Sequence, residues 1–377
     1  MAFGVVSLAA DMVYEGARSV TGPLLAALGA SAVLVGVVSG AGEAMALVLR
    51  VVSGSWADRS GRYWRLTFAG YALTAVSVPA LAVTPLLGAA GLAVACTLLL
   101  AERVGKAVRS PAKTALLAQA AGAVGVGRGF AVHKALDQVG AVAGPLLVAA
   151  VAAGTGAIWP GLAVLVVPGA VSLVVLGWLR RRLVTPAPPS DPGASRSRTS
   201  ARLPSVFWWF SATAGLVGFA LIGFHLTREQ IVPAAAVPLI YAAAMGAEAV
   251  AALATGWLYD TMSGRVLLVL PALIVSVPVL AFSPSVVVVL SGVLLWGAAM
   301  GVQDSTVKAL VADLVPGGRR ATAYGIFAAV QGSAALIGGA LAGALYAESV
   351  TWLVIGVAAS QSVTLVLLVV SLRRPSR

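Results

Sequence analysis

The stretch Gly54-Ser-Trp-Ala-Asp58-Arg59-Ser-Gly61-Arg62 is a short polar segment between two long apolar ones. A related stretch, Gly256-Trp-Leu-Tyr-Asp260-Thr-Met-Ser-Gly264-Arg265, follows 202 residues later. The same spacing relates Glu102 to Asp304 and Lys106 to Lys308. Polar signals that recur at about half the length of a chain indicate that one unit was duplicated. We therefore expect two halves of similar structure.

The composition is that of a protein embedded in a lipid bilayer. Of its 377 residues 60% are hydrophobic and 10% are charged, and the mean hydropathy is +0.98, whereas a soluble domain has about 25% charged residues. A membrane helix needs about 20 mostly apolar residues and satisfies its own backbone groups in lipid. Twelve stretches qualify: residues 3–27, 32–54, 66–84, 87–109, 129–152, 158–179, 205–226, 233–256, 266–283, 286–308, 321–346 and 350–372. The sequence thus predicts an all-α membrane protein with twelve transmembrane helices.

The net charge of +12 is distributed unevenly between the two predicted sides of the membrane. One side holds Arg59, Arg62, Arg65, Lys113, Arg128, Arg180, Arg181, Arg182, Arg196, Arg198, Arg202, Arg265, Arg319, Arg320, Arg373, Arg374 and Arg377, and the other holds Arg228. Basic loops of membrane proteins stay in the cytoplasm. We therefore expect both termini and the central loop to be cytoplasmic, with the protein in the bacterial cytoplasmic membrane. This distribution accounts for the charge without a nucleic-acid partner.

The segment 183–204 separates six predicted helices from six others. It is rich in proline, serine and arginine and has no apolar period, which is typical of a flexible linker. We expect an N-terminal six-helix bundle at 1–182, a cytoplasmic linker at 183–204 and a C-terminal six-helix bundle at 205–377. The bundles should be related by pseudo-symmetry, and we expect the protein to be a monomer.

Signals for enzymatic or cofactor chemistry are missing from the sequence. It has no P-loop pattern, which argues against ATP hydrolysis by that route. Its one cysteine, Cys96, lies in an apolar stretch, and His133 and His225 lie in different halves without partners at the spacing of zinc ligands. The chain begins without a basic flank, so we expect no cleavable signal peptide. We expect no enzymatic activity, metal or cofactor.

The loop after the second predicted helix resembles the signature of the major facilitator superfamily. Its matching residues are Gly54, Asp58, Arg59, Gly61 and Arg62. The usual basic residue after the last arginine is replaced by Tyr63, and the copy in the second half has Thr261 instead of an arginine. Gly140-x-x-x-Gly144-Pro145 resembles the fifth-helix motif of drug–proton antiporters in this family, without the two glycines that often follow. Other strings, such as Glu102-Arg103-Val-Gly105-Lys106, resemble an uncharacterised group of bacterial permeases in it.

The resemblance implies the fold of a twelve-helix transporter and a conformational role for the loop. An aspartate at a helix end accepts hydrogen bonds from the N-terminus of a neighbouring helix, and its arginines bridge to other carboxylates. Such a cluster acts as a latch between two conformations. The latch residues are Gly54, Asp58, Arg59, Gly61 and Arg62, with Asp260 and Arg265 in the second copy. As the alternative, the arginines serve only to fix the topology.

Charged residues inside the predicted helices form stripes, although each costs at least ~2.5–3.5 kcal/mol at the bilayer centre. Three stripes follow helical spacing: Asp11, Glu15 and Arg18; Glu102, Lys106 and Arg109, with Arg103 beside them; and Asp304 with Lys308. The resemblance places helices one, four and ten around a central cavity. Proton coupling is assigned to Glu15 and Glu102 first and to Asp11 and Asp137 second. Arg18, Arg103, Lys106, Arg109, Asp304 and Lys308 are assigned to the substrate cavity, while structural ion pairing is the alternative for each.

The sequence therefore favours a secondary active transporter that moves a small solute across the membrane by alternating access. Its partners would be the solute, protons and the lipid bilayer. Proton coupling is expected, and export is slightly favoured over uptake. The alternatives are a uniporter or nutrient importer of the same fold and a membrane receptor that does not transport. The sequence does not specify the solute.

Overall fold

The computed structural model describes residues 2–121, 126–183, 203–314 and 320–373, and at some of these positions, Asp260 and Lys308 among them, it describes the backbone only. These ranges form helices joined by short turns. The α-helices are α1 (Ala2–Ala27), α2 (Ala32–Ser60), α3 (Tyr63–Ala80), α4 (Gly91–Ala121), α5 (Val126–Thr155), α6 (Ile158–Val164), α7 (Val166–Arg182), α8 (Leu203–Gly215), α9 (Phe219–Arg228), α10 (Val237–Met262), α11 (Val269–Ala281), α12 (Val286–Leu314), α13 (Arg320–Glu348) and α14 (Val350–Arg373). Short 3₁₀ helices cover Leu81–Ala90, Ala234–Ala236 and Ser263–Leu268.

These helices correspond to the twelve predicted spans. Nine stretches of the described chain are long and apolar enough to cross a membrane, and one of them, Tyr63–Ala121, is 59 residues long and contains both α3 and α4. A shorter apolar helix covers Arg265–Ala281. The remaining span is α1, whose middle contains Asp11, Glu15 and Arg18. The chain is thus a multi-pass membrane protein.

Several predicted boundaries differ from the structure. The fourth predicted span ends at residue 109, yet α4 continues through Pro111 to Ala121. Lys113 therefore lies on a helix and not in a loop. The seventh span is interrupted, since α8 ends at Gly215 and α9 begins at Phe219. The indole Nε1 of Trp296 donates a hydrogen bond of 2.7 Å to the carbonyl oxygen of Val217 in this gap, which satisfies a backbone group that the broken helix leaves unpaired.

The structure divides into two compact units. The first comprises Met1–Ala30, Met45–Pro192 and Pro233–Ala242, and the second comprises Ser31–Ala44, Gly193–Val232 and Ala243–Arg377. The division thus passes through α2 and α10, whereas the sequence places a single boundary at the linker. Most of the linker, residues 184–202, lies outside the described residues.

Glycines allow α1 and α5 to pack backbone to backbone in the first unit. A Cβ atom on Gly140 would lie 3.0 Å from Leu8 Cα, and one on Gly144 would lie 2.7 Å from Met12 Cα and overlap the Met12 carbonyl oxygen. Small residues let membrane helices approach in this way. Close packing brings the charged stripe of α1 next to polar side chains of α5.

In the second unit, glycines have the same role between the first half of α2 and α13. Cβ atoms on Gly36 and Gly40 would lie 3.0 Å from the carbonyl carbon of Gly339 and 2.9 Å from Leu336 Cα. The unit also contains a buried aromatic pair, because the rings of Phe219 and Trp296 lie 5.5 Å apart. These packing contacts do not depend on polar partners, and they determine how closely the helices of this unit approach each other.

Candidate functional site

Tyr14 on α1 is a meeting point for basic side chains of α4. Its ring is buried, and the ammonium of Lys106 lies 3.3 Å from the ring centroid. The guanidinium carbon of Arg103 lies 4.7 Å from the centroid, and Arg103 Nη1 donates a hydrogen bond to the Tyr14 hydroxyl. Cations are attracted to the face of an aromatic ring. Tyr14 thus binds two basic side chains, Lys106 and Arg103, between two predicted membrane helices.

Glu15 and Glu102 each have a basic side chain nearby. Arg18 Nη1 lies 3.8 Å from Glu15 Oε2, and Arg103 Nε lies 3.5 Å from Glu102 Oε2. Glu15 also accepts a hydrogen bond of 2.5 Å from the hydroxyl of Tyr241, at the part of α10 that belongs to the first unit. Both carboxylates are largely buried. The stripe predicted from helical spacing is therefore a set of contacts between α1, α4 and α10.

A second polar group joins α1, α4 and α5. The carboxyl groups of Asp11 and Asp137 are within hydrogen-bonding reach of each other, and both interact electrostatically with Lys113. Lys113 Nζ donates a hydrogen bond of 3.0 Å to Ser7 Oγ, which lies 3.3 Å from His133 Nε2. A direct carboxyl–carboxyl hydrogen bond requires a proton on one of the two acids. The two acids and Lys113 thus bring ionisable groups of three helices together.

These contacts define what we call the charged cluster. It consists of Asp11, Glu15, Arg18, Glu102, Arg103, Lys106, Lys113 and Asp137, all in the first unit. The two polar groups are linked because Asp11 also interacts electrostatically with Lys106. A deeply buried charge is tolerated only where it is paired or hydrogen-bonded. The arrangement meets that condition and leaves each carboxylate of the cluster beside a cation.

Three of the predicted cavity residues lie apart from these contacts or cannot be placed. Arg109 is buried against α3, where its Nη1 donates a hydrogen bond of 2.6 Å to Thr74 Oγ1 and its guanidinium carbon lies 4.8 Å from the Tyr71 ring centroid. Asp304 is exposed on α12. The side chain of Lys308 lies outside the described residues.

The loop signature is organised around Asp58 and Tyr63. Gly61 has a φ of +62°, a left-handed conformation that favours glycine, and it allows α3 to begin at Tyr63. The Tyr63 hydroxyl donates a hydrogen bond of 3.1 Å to Asp58 Oδ1. The residue that departs from the family signature thus binds the aspartate of that signature. Arg59, Arg62 and Arg265 are exposed, and the Asp260 side chain is outside the described residues.

We predict that Asp58→Asn reduces transport more than solute binding. The substitution changes the charge of an exposed residue near the end of α2 and leaves the charged cluster intact, so it alters a conformational equilibrium and not the site. Tyr63→Phe, which removes only the hydroxyl donor, should give a weaker effect of the same kind. Transport and equilibrium binding are measured on each purified variant.

Ser55→Ala is the matched control, because the Ser55 hydroxyl is exposed and bonds to the Val51 carbonyl of its own helix. Loss of binding in proportion to transport, at normal expression, contradicts the latch assignment.

Within the described residues, the apolar helices and the charged cluster form a multi-pass helical membrane protein. The chain belongs to the Major Facilitator Superfamily, whose sequence model matches residues 4–228 and 216–377. The predicted family and the predicted twelve-helix, two-bundle fold class are thus confirmed. Membership also identifies the chain as a transporter and not an enzyme.

Similar proteins agree with this assignment. Uncharacterised proteins of Mycobacterium tuberculosis (strain ATCC 25618 / H37Rv) and Mycobacterium bovis are each 52% identical, over 97% of this chain and 91% of theirs. Among solved structures, a variant of the nucleoside transporter NupG has a TM-score of 0.77 at 13% identity, covering 98% of both chains. A D-xylose-proton symporter has a TM-score of 0.71 at 13% identity, covering 98% of this chain and 96% of that one. At such identities the structures establish the fold alone.

Sequence reasoning did not place Lys113 in the site. It was predicted to lie in the basic cytoplasmic loop between the fourth and fifth spans, and its contact with Ser7 depends on the unexpected continuation of α4. Tyr14 and Tyr241 are uncharged, so the pattern of charged residues in the sequence did not identify them, although both contact charged residues of the cluster. Their positions on the first and eighth predicted helices were the only indication in the sequence that they could belong to the site.

Proposed function

We propose that the protein is a proton-coupled secondary active transporter that works by alternating access. The observation that carries this proposal is the charged cluster within α1, α4 and α5. Apolar residues would pack the same helices without the several kcal/mol that buried charges cost. Carboxylates beside cations suit a site that takes up and releases protons, because each carboxylate has a partner in its charged form.

Glu15 and Glu102 are the first candidates for the proton-coupling groups, followed by Asp11 and Asp137. Glu15 has both Arg18 and Tyr241 as partners, and Glu102 has Arg103. When either carboxylate binds a proton, its arginine loses a counter-charge and gains freedom to rearrange. Proton binding thereby changes contacts between helices, which is the requirement for coupling to a conformational change.

Export is the direction predicted from the sequence, through the resemblance of Gly140-x-x-x-Gly144-Pro145 to an antiporter motif. Gly140 and Gly144 are also explained by the close packing of α5 on α1. Uptake is therefore kept as the alternative, and the charge of the solute bears on the choice. A cation would compete with protons for the carboxylates, whereas an anion would favour their protonation.

Reconstitution into proteoliposomes tests the proposed function. Purified protein is reconstituted, a pH gradient is imposed, and a panel of small anionic, cationic and zwitterionic solutes is screened for accumulation. Accumulation that disappears with a protonophore supports proton coupling. Equal rates with and without the gradient favour the uniporter alternative and contradict coupling to protons.

The topology is a separate prediction that follows from the arginine asymmetry. We expect a reporter fused after Arg182 and a second one at Arg377 to be cytoplasmic. Paired fusions of alkaline phosphatase and green fluorescent protein at both sites give opposite signals in the two compartments. A periplasmic signal at either site contradicts the proposed orientation.

A further inference from the structure

Lysine is used selectively in this chain. Of the 25 basic residues, four are lysines, Lys106, Lys113, Lys134 and Lys308, and the rest are arginines. Lys106 and Lys113 belong to the charged cluster, and Lys134 lies 3.9 Å from Asp137 of that cluster. A lysine ammonium is a compact point charge on a flexible stem, whereas the guanidinium of arginine is a planar fork. The cluster thus contains the residue type that moves most readily between two partners.

Lys106 has such a pair of partners. Its ammonium lies over the Tyr14 ring and also interacts electrostatically with Asp11. Arg103 likewise contacts both the Tyr14 hydroxyl and Glu102. Two cations therefore converge on one buried aromatic ring, and each has a carboxylate beside it.

We propose that Lys106 and Arg103 form a binding subsite for a solute that carries one oxyanion group, a carboxylate or a sulfonate, with Tyr14 as its aromatic floor. The solute oxyanion takes the place of Asp11 or Glu102 beside these cations. This inference rests on the proposed transport function and specifies the chemical class of its substrate.

The exchange of partners links solute binding to protons. A carboxylate that loses its cation inside the membrane is strongly destabilised in its charged form. It therefore binds a proton, and the total charge of the site stays the same when one proton and one monoanion enter together. Protonation of Asp11 or Glu102 accordingly strengthens anion binding, and by linkage the anion strengthens proton binding to the same extent.

Other titratable and charged groups interact with Lys106 and Arg103 directly or through neighbouring residues and belong to this balance. They are Asp11, Glu15 and Arg18 on α1, Glu102, Arg109 and Lys113 on α4, His133, Lys134 and Asp137 on α5, and Tyr241 on α10. Glu102 and Asp11 differ from the others because Glu102 lies 3.5 Å from Arg103 and Asp11 interacts electrostatically with Lys106. The alternative is that all these residues are permanent structural ion pairs, which would give no preference for an anion.

Equilibrium binding of small aromatic probes to the purified full-length protein tests the subsite. Radiolabelled benzoate and benzenesulfonate, both ionised from about pH 5.5 to about pH 8, are compared with benzamide, which has a similar shape and no charge. We expect both anions to bind about tenfold more tightly at the lower pH and benzamide to show no such change. Binding of only one anion would identify which oxyanion the subsite accepts. Equal binding of benzoate, benzenesulfonate and benzamide overturns the proposal.

Variants separate the subsite from a general effect of charge. Lys106→Gln should lose anion binding, and Lys106→Arg should retain it, which shows that the fold tolerates substitution at this position. Glu102→Gln and Asp11→Asn imitate the protonated state, and each should bind benzoate at about pH 8 nearly as tightly as at about pH 5.5. Arg228→Gln, at an exposed position on α9, should bind like the unmodified protein. Anion binding that is unchanged in Lys106→Gln, or that keeps its full pH dependence when Glu102→Gln and Asp11→Asn are combined, contradicts the proposal.

The binding assay does not require translocation. A negative binding result can therefore be distinguished from a negative transport result. Accumulation driven by a pH gradient without oxyanion binding would support the proposed function and reject the subsite. Oxyanion binding without accumulation would retain the subsite and reject proton-coupled transport.

Discussion

Glu15→Gln and Glu102→Gln are expected to abolish solute accumulation driven by a pH gradient, while solute exchange without a gradient stays measurable. Either amide keeps a hydrogen-bond acceptor of similar size, so Tyr241 still has an oxygen opposite it at position 15. The amide does not bind protons, however, and the coupled cycle stops at that step. Exchange of solute for solute moves no net proton and therefore continues.

Glu229→Gln is the matched control for this experiment. Glu229 follows α9, its side chain is 52% exposed, and it lies 4.0 Å from Arg228, which is 57% exposed. An exposed ion pair contributes about 0–1 kcal/mol to stability, so this variant should accumulate solute normally. Full gradient-driven accumulation in both Glu15→Gln and Glu102→Gln would contradict the coupling role and leave structural ion pairing as the role of these residues. Asp11→Asn and Asp137→Asn extend the same comparison to the second polar group.

The second large effect is expected for Gly144→Leu. The added side chain would meet the Met12 backbone, where even a single Cβ atom overlaps the carbonyl oxygen. Overpacking against side chains typically costs 1–3 kcal/mol, and a helix backbone yields less than a side chain does. We expect α1 and α5 to separate, with loss of folded protein in detergent, and Gly144→Ala to lower the melting temperature without preventing folding.

Gly154→Leu on the same helix is the control, because nothing lies within 4 Å of a Cβ atom at Gly154. Melting temperature and monodispersity in detergent are measured for the three variants and the unmodified protein. If Gly144→Leu melts like Gly154→Leu, the glycine is not required for the α1–α5 contact. In that case a functional role for the Gly140–Pro145 string would regain support.

The sequence determined the class and the number of helices because both depend on local composition. Twelve apolar stretches are long enough to span lipid, and a repeated loop signature marks the two halves. The charged stripes were also visible, since residues three or four apart on a helix share one face. We expected Asp11, Glu15 and Glu102 to lie near other charged groups for two reasons. Their spacing places them on the same helix faces as basic residues, and an unpaired charge in lipid is strongly destabilised.

Only the tertiary structure decided which charges meet. Helical spacing groups residues within one helix, but it does not determine the neighbour across the interface. The contact between Asp11 and Asp137, for example, depends on how closely α1 and α5 approach at Gly140 and Gly144. Arg109 followed the same stripe as Lys106 and yet packs against Thr74 of α3.

Helix continuity was the other feature that the sequence left open. Proline at 111 signals a helix end by local rules, whereas the helix continues and carries Lys113 to the Ser7 hydroxyl. The opposite happens between α8 and α9, where an apolar stretch without an internal proline breaks and Trp296 satisfies the carbonyl of Val217. In both cases the partner that satisfies the backbone comes from another helix, because Ser53 Oγ of α2 donates a hydrogen bond of 2.8 Å to the carbonyl oxygen of Ala107, four residues before Pro111. A single sequence determined which segments enter the membrane, and packing between helices decided where they bend and which charges they bring together.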